Sequence, residues 1–366
     1  MKRKAVFPGQ YIQEQGVINE LPELIKLFGT KGLILTSKTV KDKILPRFAS
    51  EEINKSIPIE LFNGESSESE LSRFSDIIRT KNIDVLVGMG GGKAIDTAKI
   101  AADRAGIPCI IIPTIASTDA PCSGCAVVYS DDGIFEAVHY QKRNPAVVLV
   151  DLNIIANSPT RFLVSGMGDA LATYFETRSC ERTQSMNECG GLSTLVGLSI
   201  AKLCFDSLLQ YGYSAKIANE AKVVTPAFSY IVETNILMSG IGFESSGLAA
   251  AHSIYNGLTA LNEANQYYHG EKVAFGTLAG LHLTGADTDE IDLVYEFCES
   301  VGLPTTLDEI GLKNIDRNRL MIAAEKASLP NQQIHHEAGK ITAEKVLNSM
   351  IMADSYGKSR KKILLK

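Results

Sequence analysis

Short apolar runs alternate with amphipathic helical patterns over the first 150 residues of the chain. The apolar runs predict strands at residues 32–36, 57–62, 85–87, 108–113 and 146–150. Between them, apolar residues recur at helical spacing over residues 21–28, 40–48, 68–79 and 94–105. This alternation predicts an α/β fold, a parallel sheet with helices on both faces.

Two further patterns complete the organisation. Residues 126–129 and 135–138 flank a polar turn and predict a hairpin, whereas residues 1–20 show little regular pattern. From residue 160 onward only helical spacing remains, over residues 160–180, 190–209, 216–237, 244–260, 271–283, 288–302, 316–327 and 342–356. We therefore expect an α/β domain at residues 1–159 and an all-α domain at residues 160–366.

The stretch with the clearest chemical meaning follows the apolar run at residues 85–87. It reads Gly88-Met89-Gly90-Gly91-Gly92 and leads into the helical pattern. Glycines let the backbone turn tightly and come close to a ligand, and a helix start attracts phosphate. The stretch matches neither named phosphate fingerprint, and Ala94 stands where a nucleoside triphosphatase needs Ser or Thr. A tight turn without a ligand remains the alternative.

Bulk composition limits the possible partners and the compartment. The net charge of −6 and pI near 5.6 argue against nucleic acid, and no apolar run is long enough to span a membrane. Seven scattered cysteines and a start without a secretory pattern indicate a reducing cytoplasm. Cys122 and Cys125 form a formal C-x-x-C, which we interpret as small loop residues because no second pair completes a zinc site.

Three residues of the helical region are candidate metal ligands. Asp169 lies among small and apolar residues, His252 follows three alanines, and His269 stands at or just before a predicted helix start. Each has an ordinary alternative, since Asp169 could cap a helix and a lone histidine is more often a core residue than a ligand. If the three converge, they leave a coordination position open, as in catalytic zinc sites.

Five ordered stretches carry a family resemblance over nearly the whole chain. They are VGMGGGKAIDTAK, PTIASTDAPCS, FLVSGMGDALATYFE, AAAHSIYNGLT and YYHGEKVAFG. Together they resemble the glycerol dehydrogenases, a branch of the iron-containing (group III) alcohol dehydrogenases. The resemblance implies a dinucleotide-binding domain at residues 1–159 and a metal-binding helical domain at residues 160–366.

The resemblance also assigns residues. It makes Asp169, His252 and His269 the ligands of Zn²⁺, with Fe²⁺ as the alternative, and it places Asp119 against a substrate hydroxyl. Asp169 and His252 would also face the substrate. The implied cofactor contacts lie on two loops and at nearby positions, namely Gly90, Gly91, Gly92, Lys93, Ala94, Thr114, Ile115, Ala116, Ser117, Ser123, Cys125 and Tyr129.

Two positions depart from the family pattern. Ser37, followed by Lys38, stands where relatives that use NAD commonly carry an aspartate for the adenosine ribose. This departure predicts NAD as cofactor with NADP tolerated or even preferred, because no carboxylate repels a 2′-phosphate. Tyr255 replaces a histidine found in many relatives, which leaves the physiological substrate open.

The predicted function is metal-dependent oxidation of glycerol to dihydroxyacetone by hydride transfer to the nicotinamide. The metal would lower the pKa of the alcohol oxygen, and a homo-oligomer is expected. Three alternatives stay open: an NADP(H)-linked dehydrogenase or reductase of another small diol or hydroxyketone, a lyase similar to dehydroquinate synthase, and a non-catalytic nucleotide-binding protein. The intact ligand set argues against the last of these, and PTIASTDAPCS argues against the lyase.

Overall fold

Strands and helices are described for residues 2–364 of the computed structural model. The strands are β1 (Tyr11–Glu14), β2 (Gly32–Thr36), β3 (Ile59–Leu61), β4 (Val85–Gly90), β5 (Cys109–Pro113), β6 (Cys125–Tyr129), β7 (Phe135–Tyr140) and β8 (Val147–Asp151). The α-helices are α1 (Leu21–Phe28), α2 (Leu45–Phe48), α3 (Glu51–Ser56), α4 (Glu68–Lys81), α5 (Gly92–Ala105), α6 (Leu152–Asn157), α7 (Thr160–Thr183), α8 (Leu195–Glu220), α9 (Pro226–Glu233), α10 (Ser239–Ser246), α11 (Ala250–Leu258), α12 (His269–Thr284), α13 (Thr288–Val301), α14 (Arg317–Ala327) and α15 (Ala343–Leu364).

Shorter helical turns connect several of these elements. The 3₁₀ segments are Val17–Glu20, Asn262–Gln266, Leu307–Ile310 and Gln333–His336, and the π-helical segments are Val40–Ile44 and Thr234–Met238. No helix within residues 2–364 is both long and apolar enough to cross a membrane.

Six strands form one parallel sheet in the order β1-β8-β5-β4-β2-β3. The central strands are buried along their whole length, which explains their unbroken apolar sequence. Successive side chains of a strand point to opposite faces of the sheet: Val85 and Val87 pack in the apolar core on one face, and Leu86 packs in the core on the other. The predicted α/β sheet is therefore confirmed.

The order of the strands reverses next to β4. The chain runs outward from β2 to β3 and then returns to place β4 on the other side of β2. A parallel sheet opens a crevice at the carboxyl ends of two such strands, and ligands bind there. Thr36 and Met89 are paired at this end, so the segments that follow β2 and β4 leave the sheet side by side.

Two compact units divide the chain, and neither is continuous in sequence. The first comprises Val6–Pro159 with Ala218–Gly240, and the described part of the second comprises residues 2–5, 160–217 and 241–364. Residues 218–240, whose helical spacing predicts a place in the helical domain, thus pack with the sheet. Buried contacts explain this, because the side chain of Asn219 donates to the Ala156 carbonyl at 2.9 Å.

Some local predictions differ from the structure. Residues 11–14, expected to be irregular, form edge strand β1, which pairs with β8 through backbone groups. Strand β4 extends to Gly90, so the turn itself is shorter than the five residues predicted. A Cβ on Gly88 would lie 2.4 Å from the Cβ of Ala98, so this glycine is needed for the packing of α5 on the strand.

Candidate metal and cofactor sites

Asp169, His252 and His269 come together within the helical unit. They lie on α7, α11 and α12, and their ligand atoms all fall within 4.8 Å of one another. The Nε2 atoms of His269 and His252 lie 2.9 and 3.3 Å from Oδ1 of Asp169. Among the residues that the structure describes, no other group of three or more His, Cys, Asp or Glu side chains brings its ligand atoms this close together.

Glycines allow the helices to meet at this point. A Cβ on Gly270 would lie 1.7 Å from the Ser165 carbonyl oxygen, and a Cβ on Gly168 would lie 2.3 Å from that of Gly270. Helices α7 and α12 therefore touch backbone to backbone beside Asp169 and His269. Helices α11 and α12 also touch backbone to backbone, because a Cβ on Gly276 would lie 2.4 Å from the Ala251 oxygen.

The start of α12 is fixed by a second carboxylate. Glu271 accepts the backbone N–H of Tyr268 at 2.8 Å, which caps the helix whose first residue is His269. Its two oxygens also receive both arms of the Arg161 guanidinium, at 2.5 and 2.8 Å. Arg161 lies at the start of α7, so the pair ties the two helices together near the cluster.

Glu176 orients His252 and was not recognised from the sequence. Its Oε2 lies 2.6 Å from Nδ1 of His252, while its Oε1 accepts the backbone N–H groups of Ala249 and His252 at 2.9 Å each. Glu176 follows Asp169 by two turns on α7, and both side chains are buried. That spacing of two acids in a small-residue helix is the signal that would have identified it.

The charges of the cluster favour an ionised Asp169. Burial alone would raise the pKa of this carboxyl, but the charges and hydrogen bonds of His269 and His252 outweigh burial and lower the pKa far below its usual range. Burial likewise opposes charge on His252, yet Glu176 and Asp169 raise its pKa well above the ordinary value. A carboxylate is the form of Asp169 that ligates metal.

Tyr255 forms one wall of the cluster. Its ring packs edge-on against His269, with 4.3 Å between the ring centroids. Burial and the charge of Asp169 raise the pKa of Tyr255 to about 12, so its hydroxyl stays protonated at neutral pH. The ammonium of Lys272 lies 5.3 Å from the centroid of the Tyr255 ring.

The donor set fits a divalent metal ion. One carboxylate oxygen and two imidazole nitrogens are ligands that zinc and iron accept, and three protein ligands leave room for a substrate oxygen. Glu176 engages Nδ1 of His252 and so leaves Nε2 for the ion, the usual role of such a carboxylate. Asp169 lies in the middle of α7, so its interpretation as a helix cap is wrong.

Several of the predicted cofactor residues lie at the carboxyl edge of the parallel sheet. Gly91 precedes α5, whose first residue is Gly92, and the N–H of Thr114 donates to the Gly90 carbonyl at 3.0 Å. A Cβ on Gly92 would meet nothing within 4 Å, so this face of the loop is open. Ser37 follows β2 directly and lies at the same edge. Open backbone beside a helix start fits a pyrophosphate.

Polar side chains surround this edge. Ser37 accepts the Val40 N–H at 3.3 Å, and the exposed Lys38 pairs with Asp42 at 2.5 Å. Lys93 pairs with Glu65 at 2.6 Å, and its ammonium lies 5.0 Å from the centroid of the Tyr129 ring.

The second predicted loop is largely enclosed. Thr114 and Ala116 are buried, Ile115 and Ser117 are half-buried, and Ala94 lies under the glycine turn. Ser123 is buried with its hydroxyl near Lys99, and Cys125 begins β6. Cys122 and Cys125 are free thiols.

Asp119 projects from this loop within the sheet unit. Its side chain is 9% exposed, and Oδ2 accepts the Ser239 hydroxyl at 3.1 Å. Ser239 begins α10, in the helical segment that packs with the sheet. The carboxylate is therefore held in a defined position.

Comparisons with known proteins find similar sequences and similar structures. The model of the iron-containing alcohol dehydrogenase family matches residues 8–152. A glycerol dehydrogenase from Thermotoga maritima is 47% identical over 98% of both chains, and a glycolaldehyde reductase from Halobacterium salinarum is 38% identical over 96% of this chain and 97% of its own. The crystal structure of a probable glycerol dehydrogenase from Sinorhizobium meliloti aligns with a TM-score of 0.92 at 41% identity, covering 98% of this chain and 100% of that one.

Proposed function

Since the chain belongs to the iron-containing alcohol dehydrogenase family, we propose that it oxidises glycerol to dihydroxyacetone with a nicotinamide cofactor and a metal ion. The observation that carries the proposal is the convergence of Asp169, His252 and His269, with Glu176 behind His252. Four relatives at 40–47% identity are named glycerol dehydrogenase, which supports glycerol as substrate.

The metal ion would be held by one carboxylate and two imidazoles. When bound, a divalent ion supplies Lewis-acid polarisation of an alcohol oxygen. Asp169 and His252 would face the bound substrate, and Glu176 holds the ring of His252 through Nδ1. We propose Zn²⁺ as the resident ion, and the nitrogen and oxygen donors also suit Fe²⁺.

Asp119 is the proposed polyol-binding residue. A carboxylate accepts hydrogen bonds from hydroxyl groups, so it favours a vicinal diol over a simple alcohol. Its bond from Ser239 keeps one oxygen engaged and the carboxylate fixed.

The proposed dinucleotide site is the edge formed by Ser37, the glycine turn and the loop after β5. Backbone N–H groups at the start of α5 would bind the pyrophosphate. Ser37 presents a hydroxyl where a carboxylate would exclude a 2′-phosphate, so we propose that NAD is used and NADP is tolerated.

Two broader proposals concern the whole protein. Exposed apolar side chains on α8, namely Leu195, Val196 and Leu203, support a homo-oligomer, which light scattering would test. The seven cysteines are all free thiols, which supports a location in the reducing cytoplasm.

The deciding experiment is glycerol oxidation at alkaline pH with NAD and NADP in parallel, before and after chelation and Zn²⁺ addition. Turnover that is lost on chelation and restored by zinc supports the proposal. Asp169→Asn should remain inactive after zinc addition, whereas Asp76→Asn, a matched change at an exposed position of α4, should behave as wild type. Absence of glycerol turnover by the zinc-loaded enzyme with both cofactors contradicts it.

A second candidate function is reduction of a small hydroxycarbonyl compound. The similarity to a glycolaldehyde reductase favours it, as does the hydroxyl in place of a carboxylate at Ser37. Comparing reduction of glycolaldehyde and dihydroxyacetone by NADPH and NADH separates the two. A catalytic efficiency far higher for NADPH-linked reduction than for glycerol oxidation would favour the reductase.

A further inference from the structure

Lys99 is a buried cation that the proposed reaction does not use. It lies in the middle of α5 and has no exposed surface. Its ammonium lies 2.8 Å from the Ala120 carbonyl, 3.2 Å from the Ser123 hydroxyl and 2.5 Å from the Cys125 carbonyl. Three acceptors satisfy its three N–H groups, and all of them lie in residues 120–125, which lead from the loop after β5 into the first residue of β6.

Asp96, one turn earlier on α5, contacts strand β6. It is 6% exposed, and it accepts a hydrogen bond from the backbone N–H of Val127 in β6. Burial raises its pKa to about 6, although the charge of Lys99 and the Val127 bond oppose that rise. One face of α5 therefore holds residues 120–127 through two buried charged side chains.

These contacts fix the loop on both sides of Asp119. Ala120, the next residue, is bound by Lys99, while Asp119 itself receives the Ser239 hydroxyl. The Ala116 carbonyl accepts the Asn235 side chain at 3.0 Å. The position of the Asp119 carboxylate thus depends on Lys99 as well as on the segment around Ser239.

Burying a charge on a lysine costs free energy that an apolar side chain would not. An apolar side chain at position 99 would pack against this loop but would leave the Ala120 and Cys125 carbonyls without the hydrogen bonds that the ammonium donates. The ammonium instead joins three acceptors to the helix that begins at the glycine turn. We propose that Lys99 is a positioning residue for polyol recognition, which holds the Asp119 loop to the helix of the cofactor site. This inference rests on the proposed function of Asp119.

The test is a double-mutant cycle of Lys99→Met and Asp119→Asn. In the wild-type background, Lys99→Met should raise the KM for glycerol by about tenfold to 10²-fold, because small misplacements of a binding group have effects of this size. The NADH dissociation constant should change by less than about threefold, well under the tenfold that corresponds to 1.4 kcal/mol. In the Asp119→Asn background the effect of Lys99→Met on the KM should largely disappear.

The control is Arg104→Met, which removes a cation from the same helix but from its exposed end, where Arg104 pairs with Glu68. It should leave both constants unchanged. Equal losses in glycerol and NADH binding, or a Lys99→Met effect that persists fully with Asp119→Asn, would overturn the inference. If Lys99→Met does not fold, Lys99→Gln keeps a side-chain amide with two N–H groups in place of three and should raise the glycerol KM less, again only when Asp119 is present.

Hydrogen exchange separates this inference from the proposed function. If the wild-type enzyme fails to oxidise glycerol, the proposed function fails, and the Lys99 contacts are judged by exchange over residues 116–124. Faster exchange there in Lys99→Met or Lys99→Gln, with wild-type exchange in Arg104→Met, supports the positioning role. Unchanged exchange over those residues refutes it.

Discussion

Replacing Glu176 by Gln tests whether the metal site depends on the residue behind its histidine. In the native arrangement one carboxylate oxygen faces Nδ1 of His252 and the other accepts two backbone N–H groups. A glutamine cannot supply both. If its oxygen faces the backbone donors, its NH₂ group faces Nδ1, and the imidazole proton moves to Nε2, the atom needed for the metal.

The alternative amide orientation is also unfavourable, because the NH₂ group then faces the two backbone N–H donors. Either way the substitution removes a buried hydrogen bond to a charged group, worth about 1.5–3 kcal/mol. This corresponds to a loss of about 10–100-fold in metal affinity, the range found for residues that orient metal ligands.

The assay is a zinc titration of the metal-free protein in competition with a chromophoric chelator. Glu181→Gln is the matched control, since Glu181 lies on the same helix with an exposed side chain. Zinc-induced stabilisation against thermal unfolding gives a second readout and should shrink in Glu176→Gln. Equal zinc affinity in Glu176→Gln and wild type would refute the reasoning.

Four other substitutions have expected outcomes. Gly92→Ala should weaken NADH binding by about tenfold in a fluorescence titration without loss of stability, because its Cβ meets only the open face of the loop. Gly88→Ala should instead destabilise the protein by about 1–3 kcal/mol in urea unfolding, because its Cβ clashes with Ala98. Ser37→Asp should lower catalytic efficiency with NADP by about tenfold or more relative to NAD, because a carboxylate repels the 2′-phosphate, and an unchanged cofactor ratio would contradict the placement of Ser37. Burial raises the pKa of Glu337 from 4.5 to about 7, so between these pH values the folded state holds a proton that the unfolded state has lost. The free energy of unfolding therefore falls as pH rises through that window, by up to about 3 kcal/mol. Glu337→Gln should flatten that fall in urea unfolding at about pH 5 and about pH 8, and a slope equal to wild type would contradict it.

Local patterns in the sequence determined the elements that depend on neighbouring residues. Unbroken apolar runs identified the buried strands, because a parallel strand covered on both faces has no polar positions. Glycines after β4 located the helix start at the sheet edge, and His269 was correctly expected at a helix start. The same patterns missed edge strand β1, which is half-buried and is held by backbone pairing with β8.

Only the tertiary structure decided which distant residues meet. Asp169, His252 and His269 lie on three helices, and no periodicity within one helix shows where it crosses another. Their convergence depends on backbone contacts at glycines such as Gly270, and the role of Glu176 depends on that crossing. Helical spacing specifies which face of a helix is buried, whereas the partner of that face is set by packing across the whole unit.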